Sequence, residues 1–280
     1  MRLRGVRSSR NVEDRRGRGG GGAAVGGLGI GGVLIVLAIG YFTGIDVTPL
    51  LGGGGAPQQQ QTRELTQSEV QAGEFSGQVL ATTEQVWTEI FPDAFGEPYE
   101  PPVLVLFSGV TQSPCGGASG ATGPFYCPVD EKAYLDTEFF AFMRSELGAG
   151  GDFAQAYVIA HEVAHHVQNE LGILPQVNAA RQRSSEREAN ALTVRLELQA
   201  DCLSGVWAQS VSGLLEPGDI DEALNAAQRI GDDYLARRAG RVPNPHSYTH
   251  GTSEQRQTWF SNGYQSGDPA ACDTFGAESL

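Results

Sequence analysis

The sequence predicts an α+β fold, mostly helical with one small sheet, preceded by a single transmembrane helix near the N-terminus. Three observations carry this expectation. Residues 23–45 contain no charged side chain. Most of the chain after residue 150 repeats apolar or small residues at helical spacing. Only two short stretches, Val103–Phe107 and Ala133–Leu135, read as strands.

Taken in order, residues 1–22 form a basic segment, with seven arginines against Glu13 and Asp14. The uncharged run 23–45 follows, and 23 residues at ~1.5 Å each cross a ~30 Å hydrocarbon core with some tilt. It is long for the apolar part of a cleaved signal peptide, and no Ala-x-Ala site follows it, so an uncleaved anchor is the favoured reading over a signal peptide. Arginines stay on the cytoplasmic side by the positive-inside rule, which places the body outside the membrane. Residues 46–64 contain Gly52–Gly55, Pro57 and four glutamines, and read as a flexible tether. Residues 65–280 are then one domain, long enough for a single core and without an internal repeat.

Within that domain helices are expected over Thr82–Phe91, Thr137–Leu147, Ser184–Ser212, Asp219–Ala236 and Ser253–Ser266. Another begins at Asp152, read as its N-cap, carries Phe153, Tyr157, Ala160, Ala164 and Val167 on a repeating face, and stops at Gly172 and Pro175. On this helix His161-Glu162-Val163-Ala164-His165 is an HExxH segment. Two histidines four apart share a face, and a carboxylate beside them can take a proton from water, which is the chemistry of a zinc hydrolase. His166 lies about 100° round the helix and should point away.

Zinc needs a further ligand. Glu197 and Asp201 are four apart in an otherwise apolar or small run from Ala189 to Trp207, and buried carboxylates there call for a compensating cation or donors. Glu197 is therefore the expected third zinc ligand. Asp201 is expected to receive the other ring N–H of a ligand histidine. Three protein ligands leave a position open for water, as in catalytic rather than structural zinc sites, with one zinc per chain.

HExxH followed by ExxxD resembles the gluzincin pattern, and the wider set of motifs is similar to the bacterial neutral zinc metallopeptidases. Those motifs are Gly123–Pro128, Tyr134-Leu135-Asp136, the HEVAHHVQ helix, Leu196–Cys202 and Thr249–Ser253 with Gln255-Arg256. The resemblance implies a zincin-like fold and a peptidase-like site acting on peptide or protein substrates. It also implies an edge strand against which substrate pairs, for which Ala133–Leu135 is the candidate. The 32-residue interval between His165 and Glu197 exceeds that of thermolysin, so thermolysin's subsites do not transfer.

The expected mechanism has Glu162 as general base and proton carrier. A developing oxyanion needs a donor beyond the metal. His250 is favoured because it falls in the Thr-His-Gly motif; His246, Tyr248 and Tyr134 remain rivals. The functional expectation is a membrane-anchored zinc endopeptidase. The alternative is a non-catalytic module that uses the zinc fold to bind a peptide or an envelope protein.

The net charge is −14, and with residues 1–22, seven arginines against two acids, set aside as a whole the remainder stands at −19, which argues against nucleic acid as a partner. Four cysteines without CxxC spacing exclude a zinc ribbon and suit disulfides in an oxidising compartment. Of three possible connectivities, Cys115–Cys127 closes a Gly/Ser/Pro-rich loop and Cys202–Cys272 ties the tail to the ligand-bearing helix. The localisation expected is a single-pass cell-membrane protein with a cytoplasmic N-terminus and an extracytoplasmic catalytic domain. Glycines at 26, 31, 32 and 40 offer a close helix-packing face, but no oligomeric state follows from them.

Overall fold

The computed structural model describes residues 1–17, 63–119 and 123–280. The run 23–45, all but two residues of the tether and the intended anchor lie outside those residues, and among the described residues no helix is long and apolar enough to cross a membrane. The architecture is α+β and mostly helical. In chain order it comprises β1 (Val12–Asp14), α1 (Gln67–Phe95), β2 (Val103–Phe107), the hairpin strands β3 (Val110–Ser113) and β4 (Gly116–Ser119), β5 (Phe125–Cys127) and β6 (Lys132–Asp136). Helices α2 (Thr137–Phe142), α3 (Asp152–Glu170), α4 (Ile173–Arg181), α5 (Glu186–Ser210), α6 (Asp219–Arg229), α7 (Asp232–Arg238) and α8 (Ser253–Ser266) complete it.

Four strands form one sheet in the order β1-β2-β6-β5. The first three run parallel, and β5 is antiparallel to β6 with Phe125 opposite Tyr134. This corrects the expectation for Ala133–Leu135: it is interior, hydrogen-bonded on both sides, and β5 is the edge beside the helices. The reason is that Phe125–Cys127 folds back as a strand of its own, which a three-residue apolar-aromatic stretch after Gly-Pro does not advertise.

The largest correction concerns the N-terminus. Residues 1–17 are not a separate arm but part of the body. Val12 pairs with Leu104, Leu104 N donates to Asn11 O at 2.8 Å, and Arg15 N donates to Leu106 O at 2.8 Å. Met1 and Leu3 are buried in the main core. The Met1 ammonium lies 2.9 Å from Asp152 Oδ1 and 3.1 Å from Glu216 Oε2, with Asp219 beside them. The body therefore includes residues on both sides of the undescribed run, rather than beginning near residue 65.

Helix α1 starts fifteen residues earlier than expected, at a capping box in which Thr66 and Glu69 satisfy each other's backbone N–H groups, and ends at Gly96 in the left-handed conformation. Pro175 does not end a helix; Gly172, at φ 70°, turns the chain, and Pro175 occupies the first turn of α4, where a missing N–H costs nothing. The Asp219–Ala236 helix is two helices, broken at Gly231, whose Cβ would stand 2.4 Å from Ser253 N. Helix α3 is buried from Phe153 to Gln168 apart from Gln155, with Phe153 stacked on Trp207 of α5 at 5.6 Å. Helices α5 and α8 meet through Gly205 and Gly263, where a Cβ would come within 2.1 Å of Phe260 O and 1.8 Å of Cys202 O. Both expected disulfides, Cys115–Cys127 and Cys202–Cys272, are present.

Candidate active site

The site is built where α3 crosses α5. A buried α3 carries His161, Glu162 and His165 to one wall of a cavity of about 720 Å³, and Glu197 faces them from α5. Glu197 Oε2 is 3.1 Å from His161 Nε2 and 3.5 Å from His165 Nε2. Ligands held about 2.0–2.1 Å from a tetrahedral ion are separated by roughly 3.3 Å, so these donors already stand at ligand spacing.

The other ring nitrogens show which lone pairs are free. His161 Nδ1 is 2.8 Å from Asp201 Oδ1. His165 Nδ1 is 2.8 Å from Gln168 Oε1, and the Gln168 amide can only be turned that way, because its Nε2 donates to Leu196 O at 2.7 Å and to Gln199 Oε1 at 3.1 Å. Both imidazoles thus place Nδ1–H on an oxygen and leave Nε2 as a ligand aimed at Glu197. The electrostatics suit a cation: although burial works against the charge, Asp201 and Glu197 push His161 up to about 10, and Glu197 raises His165 as well.

Asp201 is fully buried and fully partnered. Arg256 of α8 donates to it twice, each at 2.9 Å, and Tyr157 and His161 complete its contacts. Burial alone would raise its carboxyl; Arg256 and His161 outweigh that and hold it at about 2. Glu162 is raised, chiefly by burial, with the histidines opposing.

Among the oxyanion candidates, His250 lines the cavity, whereas His246, Tyr248 and Tyr134 do not. Tyr134 is committed to Asp130 at 2.7 Å and stacked on Phe125. Asp232 Oδ2 accepts from the backbone N–H groups of Thr249, His250 and Gly251, folding the loop that presents the ring, and its other oxygen is 3.5 Å from His250 Nδ1. Desolvation in the cleft opposes protonation of His250, but Glu197 and Asp232 raise it overall. His166 points away as expected, between Tyr126 OH at 2.9 Å and Glu100 O at 2.6 Å.

Sequence reasoning did not find Tyr157, Gln168, Asp232 or the role of Arg256. Gln168 and Arg256 did fall inside the family-like motifs; Tyr157 is one turn before His161 on the same face, a spacing that could have flagged it. Asp232 had no local signal.

A buried helix bearing HExxH, met by a carboxylate one crossing away, is the arrangement expected of the zinc-metallopeptidase class. The chain belongs to the family described as "Putative neutral zinc metallopeptidase", whose model matches residues 1–275. It is 50% identical to YpfJ of Escherichia coli K12 over 288 residues, covering 99% of each chain. It is also 45% identical to Rv2575 of Mycobacterium tuberculosis H37Rv and to Mb2605 of Mycobacterium bovis over 218 residues, covering 72% of this chain and 71% of theirs. No solved structure matches the chain.

Proposed function

We propose that this protein is a zinc-dependent endopeptidase that holds one zinc ion per chain through His161, His165 and Glu197. The observation that carries the reading is the convergence of three ligand atoms with Glu162 on one wall of a cavity large enough for a peptide. Zinc bound there would polarise a peptide carbonyl and make a water molecule more acidic.

The chain's own residues do the rest. Glu162 accepts the proton of the attacking water, and burial, by raising its proton affinity, suits it to keep that proton and then deliver it to the departing amine. His250 donates to the carbonyl oxygen as charge develops there, and Asp232 fixes its loop. The edge of β5, the outermost strand of the sheet among the described residues, with Phe125 and Tyr126 on the cavity wall, offers backbone groups along which an extended peptide pairs. Two disulfides and the apolar run 23–45 support a place at the cell membrane, facing an oxidising compartment.

The test is metal content and peptide cleavage of the full chain beside Glu162→Gln. One zinc in both with cleavage only by the wild type is the expected result. Zinc in both with no cleavage by either, across a broad peptide mixture, would favour the binding module instead.

A further inference from the structure

Gly17 O accepts a hydrogen bond from Arg63 N at 3.0 Å, so the last residue before the undescribed run and the first after it lie side by side. The chain is held firmly on the N-terminal side of that junction. β1 lies in register with β2, and α1 offers two glycines to the incoming segment. A Cβ on Gly73 would stand 2.0 Å from Arg16 Nη2, and one on Gly77 would stand 2.1 Å from Ser8 Oγ. Ser9 N donates to Gly77 O at 2.9 Å, Gln78 Nε2 to Val6 O at 3.0 Å, and Asn11 Nδ2 to Glu84 Oε1 at 2.8 Å. This is a fitted seat, made by small residues on one helix and the outer edge of one strand.

A single crossing separates its two flanks by the ~30 Å of hydrocarbon between them. Residues joined by a hydrogen bond cannot be those flanks.

We propose that residues 1–17 and 63–280 stand on the same side of the membrane, against the cytoplasmic N-terminus and extracytoplasmic body that the positive-inside rule predicts. This rests on the packing of the described residues and is independent of the catalytic reading.

All four native cysteines are in disulfides, so single new thiols report cleanly. Arg7→Cys lies on an exposed part of the arm and Val242→Cys on an exposed part of the body. Each is introduced into the full chain and treated with a membrane-impermeant maleimide in right-side-out vesicles, before and after permeabilisation. The proposal requires the two positions to behave alike, either both labelled at once or both protected until the membrane is opened. One labelled and one protected overturns it, as does recovery of the protein in the soluble fraction.

A second variant guards against a mobile arm. The Ser8 Cβ is 3.4 Å from where a Gly77 Cβ would stand, close to the separation a disulfide needs. The Ser8→Cys/Gly77→Cys pair should crosslink within one chain in intact membranes. No crosslink, or a crosslink only between chains, would show that the arm is not seated on its own body there.

Discussion

Arg256 and Asp201 form a buried two-point ion pair directly behind His161. Both partners are almost without solvent contact, and the oxygen that receives Arg256 Nη2 also receives His161 Nδ1. The pair comes together because Gly205 and Gly263 let α5 and α8 approach backbone to backbone. An arginine five helices downstream of His161 thereby holds the carboxylate that orients its ring.

Removing Arg256 takes from the buried Asp201 the guanidinium that holds it charged. Arg256→Ala should cost about 3–5 kcal/mol of stability, measured by urea unfolding. Asp201→Asn should weaken zinc binding about 10–100-fold in a chelator competition, since His161 loses its carboxylate. Unchanged zinc affinity in Asp201→Asn would remove Asp201 from the support of the site.

His250→Ala should lower kcat by roughly 10²–10³ while zinc content stays at the wild-type level. Its protonated form is favoured in the folded protein, so activity that depends on its proton is present below the raised pKa and is lost as pH rises through it. Asp232→Asn should move that alkaline limb to lower pH. A limb that stays in place in the kcat/KM profile would sink the assignment.

A chain beginning at residue 65 should be much less stable than the whole, because it lacks β1 and empties the seats of Met1 and Leu3. Each of those side chains contributes about 1.5–3 kcal/mol by burial alone. Thermal unfolding of the truncated and full chains side by side would show this, and equal melting would mean that the arm is dispensable to the fold.

How much of this was readable beforehand depends on the range of the interactions. The HExxH face, the ExxxD helix and its neighbours are set by local spacing, and His161, His165 and Glu197 fall together as that spacing implies. Both disulfides were legible for a related reason: one closes a short loop and the other bridges a helix to the tail. The seat of residues 1–17 was hidden because β1 is only Val-Glu-Asp and its partner strand begins about 90 residues later. Nothing local in Gly73 or Gly77 announces that a distant segment lies on them, and the arginines invited a charge rule meant for membrane flanks. The interior position of β6 was missed because strand order is a property of the sheet, not of the strand.

Gln168 has a consequence for what happens when the ion is absent. It holds the His165 ring, the Leu196 carbonyl and Gln199 at once, and Gln199 in turn donates to Cys272 O. This scaffold aims the ligands without help from the metal. Chelation should therefore empty a standing socket rather than unfold a domain, and zinc returned to the stripped protein should restore activity without a refolding delay.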